Sequence, residues 1–298
     1  MKKYIIIPLL FILSKLPLKT LHLLGSFVGI IGDKFSKRAS LRLRNNLIRT
    51  KMCTIENKEN LARLCAKEWG KTIVETACIA WQWPRDKVSG LVTNSDGLDL
   101  VKNELSKGKS IIFLMPHIGN FEVALKYTAT QLENNKFTIL YKPSKDEFLE
   151  TIMKDGRSEE NVTLVPTNRH GVMALIKAIR RGEIIGILPD NVASSGDGIW
   201  VNFFCNPVYA MTLAAKLTLM ENTATFLASS IRHNNEFSIK YTPFIPKTTN
   251  IQDVIQNMYH QFESMILSAP SQYYWSYDRF RIPAHAIPQT ELKVNDGS

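Results

Sequence analysis

The chain has 298 residues, 45% apolar side chains and a formal charge of +10, enough length for one large domain or two modest ones with a substantial core. The cationic balance points to a partner carrying negative charge, whether nucleic acid, anionic lipid headgroups or an acidic protein, without choosing among them. Cys53, Cys65, Cys78 and Cys205 form no CxxC pair, which argues against a cysteine zinc site and a disulfide framework and leaves four free thiols in a reducing compartment.

The first segment, MKKYIIIPLLFIL, opens with two lysines and an apolar stretch from Tyr4 to Leu13. It starts like a signal peptide, but Ser14-Lys15-Leu16-Pro17 follows in place of a small-residue cleavage site. A second apolar run spans Leu21 to Ile31. Neither run reaches the roughly 20 residues of a bilayer span. Residues 1–32 are therefore expected to form a membrane anchor, either one broken span or a shallow hairpin in the interface with its lysines snorkelling outward. A hydrophobic helix packed on the domain is the plainer alternative. Directly after it, Lys34, Lys37, Arg38, Arg42, Arg44, Arg49 and Lys51 face a single acid, Asp33. A basic stretch beside an anchor favours the cytoplasmic side and anionic lipid, which predicts attachment to the cytoplasmic (inner) membrane with the remaining 33–298 as the working domain on its cytoplasmic side.

Apolar residues at spacings of three and four predict a helix over 55–80, ended by Pro84. Short β-rich runs then alternate with helical patterns. Strands are predicted at 110–116, 137–141, 162–165, 184–188, 223–231 and 236–244, and helices at 98–107, 120–132, 146–155, 170–181, 208–220 and 251–268. The last residues read as a polar tail. This alternation predicts an α/β fold with a largely parallel central sheet flanked by helices, in which the final strand pair, lacking a helix between, is antiparallel.

Sites in such sheets lie beyond the carboxyl ends of the strands. The stretch MPHIGNFE, 115–122, puts His117 at such an end. Gly119 permits a tight turn, Asn120 is a plausible helix N-cap, and Glu122 falls in the first helical turn, where a carboxylate is favoured on structural grounds alone. Spacing by itself leaves both a catalytic and a purely structural reading open.

His-x-x-x-x-Glu after a buried strand resembles the first motif of the glycerolipid-type acyltransferases, and further blocks resemble one branch of them, the lipid A biosynthesis acyltransferases. LYKP (140–143) is similar to a Tyr-Arg-Pro block, and Gly156-Arg157 follows at the family's spacing. The stretch 170–191 resembles the family's helix, glycine and strand ending in Asp-Gln. VNFFCNP (201–207) is similar to a Val-x-Phe-Phe-Gly-x-Pro block, and QYYWSYDRFR (272–281) to the closing Tyr-x-Trp-x-x-x-Arg-Phe. The ordered set covers nearly the whole chain. Lys142 stands in place of arginine, Asn191 of glutamine, Cys205 of glycine, and Tyr277-Asp278 of a more basic pair, so acceptor and acyl length stay open.

The resemblance implies transfer of a fatty acyl group from a thioester to a hydroxyl of a lipid A precursor-type glycolipid, without a resident cofactor or metal. His117 is expected as general base, with Glu122 bonded to its other ring nitrogen. Amides around Gly119 and Asn120, or Arg157, are candidate oxyanion donors. Arg157 and Lys142 are candidates for substrate phosphate, Asp190 for a site role or a cap, and Phe203 and Phe204 for plain core or the wall of an acyl pocket. No Gly-x-Ser-x-Gly elbow occurs, so no acyl-enzyme is implied. Acyl carrier protein, being acidic, suits the basic chain as donor, and acyl-coenzyme A is the alternative. Another membrane acceptor (a lysophospholipid, mannosylated inositol lipid or aminolipid) would share the motif. A non-catalytic basic membrane-surface protein would leave the ordered blocks unexplained. No nucleic-acid motif and no phosphate-binding Gly-x-x-x-x-Gly-Lys-Ser/Thr loop is present.

Overall fold

A computed structural model of the chain describes residues 2–157, 159–194, 196–284 and 286, with the backbone alone for 2–7. Most of the polar tail expected at the end lies outside the described residues. The helices α1 (Lys2–Leu13), α2 (Leu18–Phe35), α3 (Lys37–Arg49) and α4 (Lys58–Glu75) come first, α4 running into a π-helical turn, Thr76–Ala80. After α5 (Arg85–Ser89) the chain alternates: β1 (Val92–Asp96), α6 (Leu98–Ser106), β2 (Ser110–Leu114), α7 (Phe121–Gln131), β3 (Phe137–Tyr141), α8 (Glu147–Arg157), β4 (Val162–Pro166), α9 (Arg169–Arg180) and β5 (Ile184–Ile187). A hairpin of β6 (Gly198–Phe203) and β7 (Asn206–Met211) follows, then α10 (Leu213–Thr218), β8 (Thr223–His233), β9 (Glu236–Phe244) and α11 (Ile251–Ser268).

Seven strands form one sheet in the order β1-β9-β8-β2-β5-β3-β4. β2 pairs in parallel with β5 and β8, and β3 with β5 and β4, while β8 and β9 are antiparallel, as expected for a pair without a helix between them. The pleat divides the core. Ile111, Phe113 and Met115 pack in the cluster that holds the α6 and α7 residues Val101, Ala124 and Tyr127. Ile112 and Leu114 join the other, with Leu175 of α9 and Tyr259 and Phe262 of α11. The chain leaves β2 toward β3 on one side and leaves β5 toward β8 on the other. The connection leaving β2 runs through α7 on one face of the sheet and the one leaving β5 runs through α10 on the other, which marks the carboxyl ends of β2 and β5 as the switch point where such sheets bind ligands.

Two expectations need correction. The helix expected over 208–220 is shared between β7 and the short α10, because Val208 and Ala210 pair against Val201 and Ile199 of β6. The strand β1 (VTNSD) was not anticipated; it is an edge strand without an apolar run.

The N-terminal segment is docked as well as apolar. One face of α2 (Leu18, Leu21, His22, Gly25, Gly29) is buried. A Cβ on Gly29 would stand 1.9 Å from the Ala66 carbonyl oxygen of α4, and one on Gly70 only 2.0 Å from the Gly25 carbonyl, so these helices touch backbone to backbone. The other face exposes Leu23, Phe27, Val28 and Ile31 to the surroundings, with Leu9, Phe11 and Ile12 of α1 beside them in sequence. Among the described residues no helix is long and apolar enough to cross a membrane. Two members of the basic run are neutralised inside the fold: Arg44 pairs with Asp33 and Glu59, and Arg42 with Asp278. Lys34, Lys37, Arg38, Arg49 and Lys51 are exposed.

Candidate active site

The turn from β2 to α7 is built by specific local contacts. Gly119 has φ +62, and a Cβ there would meet the Ser230 carbonyl oxygen at 1.7 Å, so the turn needs glycine for both conformation and space. Asn120 caps α7 as its sequence position suggested: its Oδ1 accepts from the Glu122 and Val123 amides at 3.1 and 3.2 Å. The closing block then lies alongside. The Tyr274 amide donates to the His117 carbonyl, and the Gly119 amide donates to the Gln272 carbonyl, both at 3.0 Å.

The hydrogen bond expected from Glu122 to the His117 ring is made by Asp190 instead. His117 Nδ1 lies 2.6 Å from Asp190 Oδ1, and the His117 amide donates to Asp190 Oδ2 at 2.9 Å. Tyr273 adds a third bond, donating its hydroxyl to Asp190 Oδ2 at 3.2 Å. Burial pushes the Asp190 carboxyl up, but the charge His117 can carry, the hydrogen bonds from its ring and amide, and the nearby Arg279 charge outweigh it and hold the group below its ordinary range. An ionised carboxylate only accepts, so Nδ1 carries a proton, and in the neutral ring the lone pair is therefore on Nε2. Burial and the Asp190 charge push the Tyr273 phenol well up, which keeps it a donor. Arg279 lies over the rings of Tyr259 and Phe203 and bonds the Tyr259 hydroxyl. The Phe121 ring meets the imidazole edge-on at 5.4 Å.

Glu122 belongs to Arg157. Arg157 Nε donates to both carboxylate oxygens at 2.9 Å and Nη2 donates to Oε1, a forked pair at the end of α8. Burial disfavours the Arg157 cation, yet Glu122 more than restores it and the group stays above its ordinary value. Gly156 precedes it because the Trp81 ring occupies the space a Cβ would take, at 2.3 Å. The third guanidinium nitrogen, Nη1, has no partner among the described residues.

Of the other sequence candidates, Lys142 stands exposed just beyond β3 on the same carboxyl rim. The Gly119 and Asn120 amides cannot serve as oxyanion donors in this state, since they donate to the Gln272 and Ser230 carbonyls. Asn120 is fully buried and does not face a substrate. Phe203 is 1% exposed and packs on Tyr259, Tyr273 and Phe280, so it is core behind Tyr273, while the half-buried Phe204 packs on Trp275. Tyr273 and Arg279 were missed as site residues, although both lie in the closing block. Surface depressions of about 390 and 290 Å³, lined in part by Thr218 and Lys247 and by Lys136 and Lys177, sit at the amino ends of the strands, away from His117. The strand topology is the better guide to the site.

An imidazole fixed by a buried carboxylate at the switch point of an α/β sheet, with an arginine ion-paired to the helix that follows, is an arrangement of the kind that enzymes use for acid–base chemistry. The comparisons give that class its family. The family model for bacterial lipid A biosynthesis acyltransferases matches residues 1–282, and the chain belongs to that family and is an acyltransferase. It is 22% identical over 296 residues to the lipid A biosynthesis lauroyltransferase of Escherichia coli, covering 95% of this chain and 92% of the relative. It is also 23% identical over 261 residues to a lipid A biosynthesis acyltransferase of Haemophilus influenzae, covering 83% and 79%.

Proposed function

We propose that the protein transfers a fatty acyl group from an acyl thioester to a hydroxyl of a lipid A precursor, with His117 as general base. The observation that carries this reading is the His117–Asp190 pair, which leaves Nε2 as the basic atom at the strand ends. A hydroxyl is a poor nucleophile at neutral pH, so Nε2 takes its proton as the oxygen attacks the thioester carbonyl. The carbonyl carbon gains a bond to that oxygen, and its π electrons move to the carbonyl oxygen. When the tetrahedral species collapses, the C–S bond breaks and the imidazolium returns its proton to the departing thiolate. Asp190, held ionised, stabilises the imidazolium formed in between. Arg157, oriented by Glu122, supplies cationic N–H groups for the developing oxyanion or for a substrate phosphate. Lys142 adds positive charge at the rim, and no resident cofactor takes part.

Acyl carrier protein is the donor that best suits the net positive charge, with acyl-coenzyme A as the competing donor. The outer apolar face of α1 and α2 suits the bilayer interface, with Lys15, Lys19, Lys34 and Lys37 at headgroup level, on the cytoplasmic side of the inner membrane. Mass spectrometry of the glycolipid fraction from cells with and without the gene tests the acceptor. Loss of one acyl group from the lipid A fraction is expected, and an unchanged lipid A beside an altered phospholipid would reject it. His117→Ala, purified and folded, should lose about two to four orders of magnitude in transfer rate. Near-normal turnover would reject the base.

A further inference from the structure

Below the catalytic turn lies a buried cluster that the chemistry above does not use. Glu75, at the end of α4, is 0% exposed, and four hydrogen bonds converge on its carboxylate. Oε1 faces His22 Nε2 of α2 at 2.6 Å and receives Arg232 Nε of β8. Oε2 receives Arg232 Nη2 and, at 3.0 Å, the amide Nδ2 of Asn120. Arg232 also donates to Glu68 Oε2 at 2.7 Å and to Thr72 Oγ1 at 3.0 Å, and Thr72 donates to the Gly119 carbonyl at 3.2 Å.

The cluster settles the orientation of one side chain. A carboxylate paired with a guanidinium only accepts, so Glu75 demands the NH₂ end of Asn120. The carbonyl end of Asn120 must then point at the α7 amides, which is the orientation that caps the helix. Asn120 lies between His117 and Glu122 in sequence, and its own amide is anchored to the Ser230 carbonyl of β8, two residues before Arg232. The same charge cluster thus holds both sides of the turn. Through His22 it also reaches the helix whose opposite face exposes Leu23, Phe27 and Ile31.

We infer that Glu75 is a positioning residue for acyl transfer: with Arg232 and His22 it fixes the Asn120 amide, and so the spacing between His117 and the Glu122–Arg157 pair. The inference rests on the reading of His117 as base. Glu75 touches neither substrate nor reacting atoms; it acts through Asn120.

The test compares four variants of the full chain, in detergent, with a lauroyl thioester and a lipid A precursor as substrates, scoring kcat per folded molecule, KM and melting temperature. Glu75→Gln should lower kcat about tenfold to a hundredfold and leave KM for both substrates nearly unchanged, as expected for a small misplacement of reacting groups. Glu75→Met/Arg232→Leu replaces the buried ions with apolar groups, an exchange that commonly restores stability. A role in stability alone predicts that activity returns with the melting temperature, whereas positioning predicts that kcat stays low. Asn120→Ser keeps an oxygen for the helix cap but cuts the link to Glu75, and should show the same low kcat at near-normal stability. Normal kcat in any of these three folded variants overturns the positioning role. His117→Ala is the control that separates the two readings. If it is inactive while Glu75→Gln is fully active, the positioning role alone fails; if it is itself fully active, the base assignment fails and the positioning role with it.

Discussion

His117 and Asp190, 73 residues apart, are joined by two hydrogen bonds, Nδ1 to Oδ1 at 2.6 Å and the amide to Oδ2 at 2.9 Å. Two contacts to one carboxylate fix the orientation of the ring and the backbone together. The acid that follows five positions later in sequence is committed to Arg157.

The first expectation concerns the ring tautomer. Asp190→Asn keeps shape but offers an N–H that can favour the wrong ring tautomer. Its kcat should fall by about two to four orders of magnitude while circular dichroism is unchanged. Turnover within a factor of a few of wild type would show that Asp190 is dispensable to the base.

Glu122→Gln tests the ion pair. The side chains of Glu122 and Arg157 are 4% and 14% exposed, so removing one charge leaves its partner buried and uncompensated. The variant should lose about 3 kcal/mol of stability in urea unfolding, together with activity. A stability change below about 1 kcal/mol with activity intact would mean that the carboxylate serves only the helix start.

The β6–β7 turn carries avoidable strain. Phe204 and Cys205 both have positive φ, +47 and +58, in a two-residue loop whose preferred occupants are asparagine and glycine. Cys205→Gly should therefore stabilise the protein, by up to about 1 kcal/mol after the glycine's larger unfolded-state entropy is counted. A lower melting temperature would refute this.

Acid should act through Glu75. Burial pushes its carboxyl up, but Arg232 and the bonds from His22 and Asn120 more than reverse this, bringing it from an ordinary 4.5 to about 2. A depressed carboxyl contributes stability that is fully present above 4.5 and is lost as pH falls toward 2, on the order of 3 kcal/mol in all. The stability gap between wild type and Glu75→Gln, measured in urea from pH 6 to pH 3, should shrink on acidification. A gap independent of pH would mean that Glu75 is not ionised in the fold.

The sequence by itself determined most of the elements and the place of His117 at a strand end. Period-two and period-3.6 patterns are local properties, so β2, β3, β4, β5, β8 and β9 and the helices α6, α7, α8, α9 and α11 were legible to within a few residues. His117, Gly119 and Asn120 were readable because strand end, turn and cap follow one another directly along the chain. What failed locally did so for local reasons: β1 has no apolar run, and the turn of the β6–β7 hairpin carries Phe204-Cys205 where no glycine or asparagine announces it. Only the tertiary structure decided which carboxylate meets the imidazole and which meets the guanidinium. Asp190 meets His117 because β5 lies beside β2, an order set by the crossover through β3 and β4 that no spacing encodes. Likewise α8 swings Arg157 back onto Glu122, and the Glu75 cluster draws on α2, α4, β8 and the turn between β2 and α7. Hydrogen bonds of 3 Å between residues scores of positions apart depend on which elements pack together, and that is fixed by the burial of whole faces rather than by any one stretch of sequence.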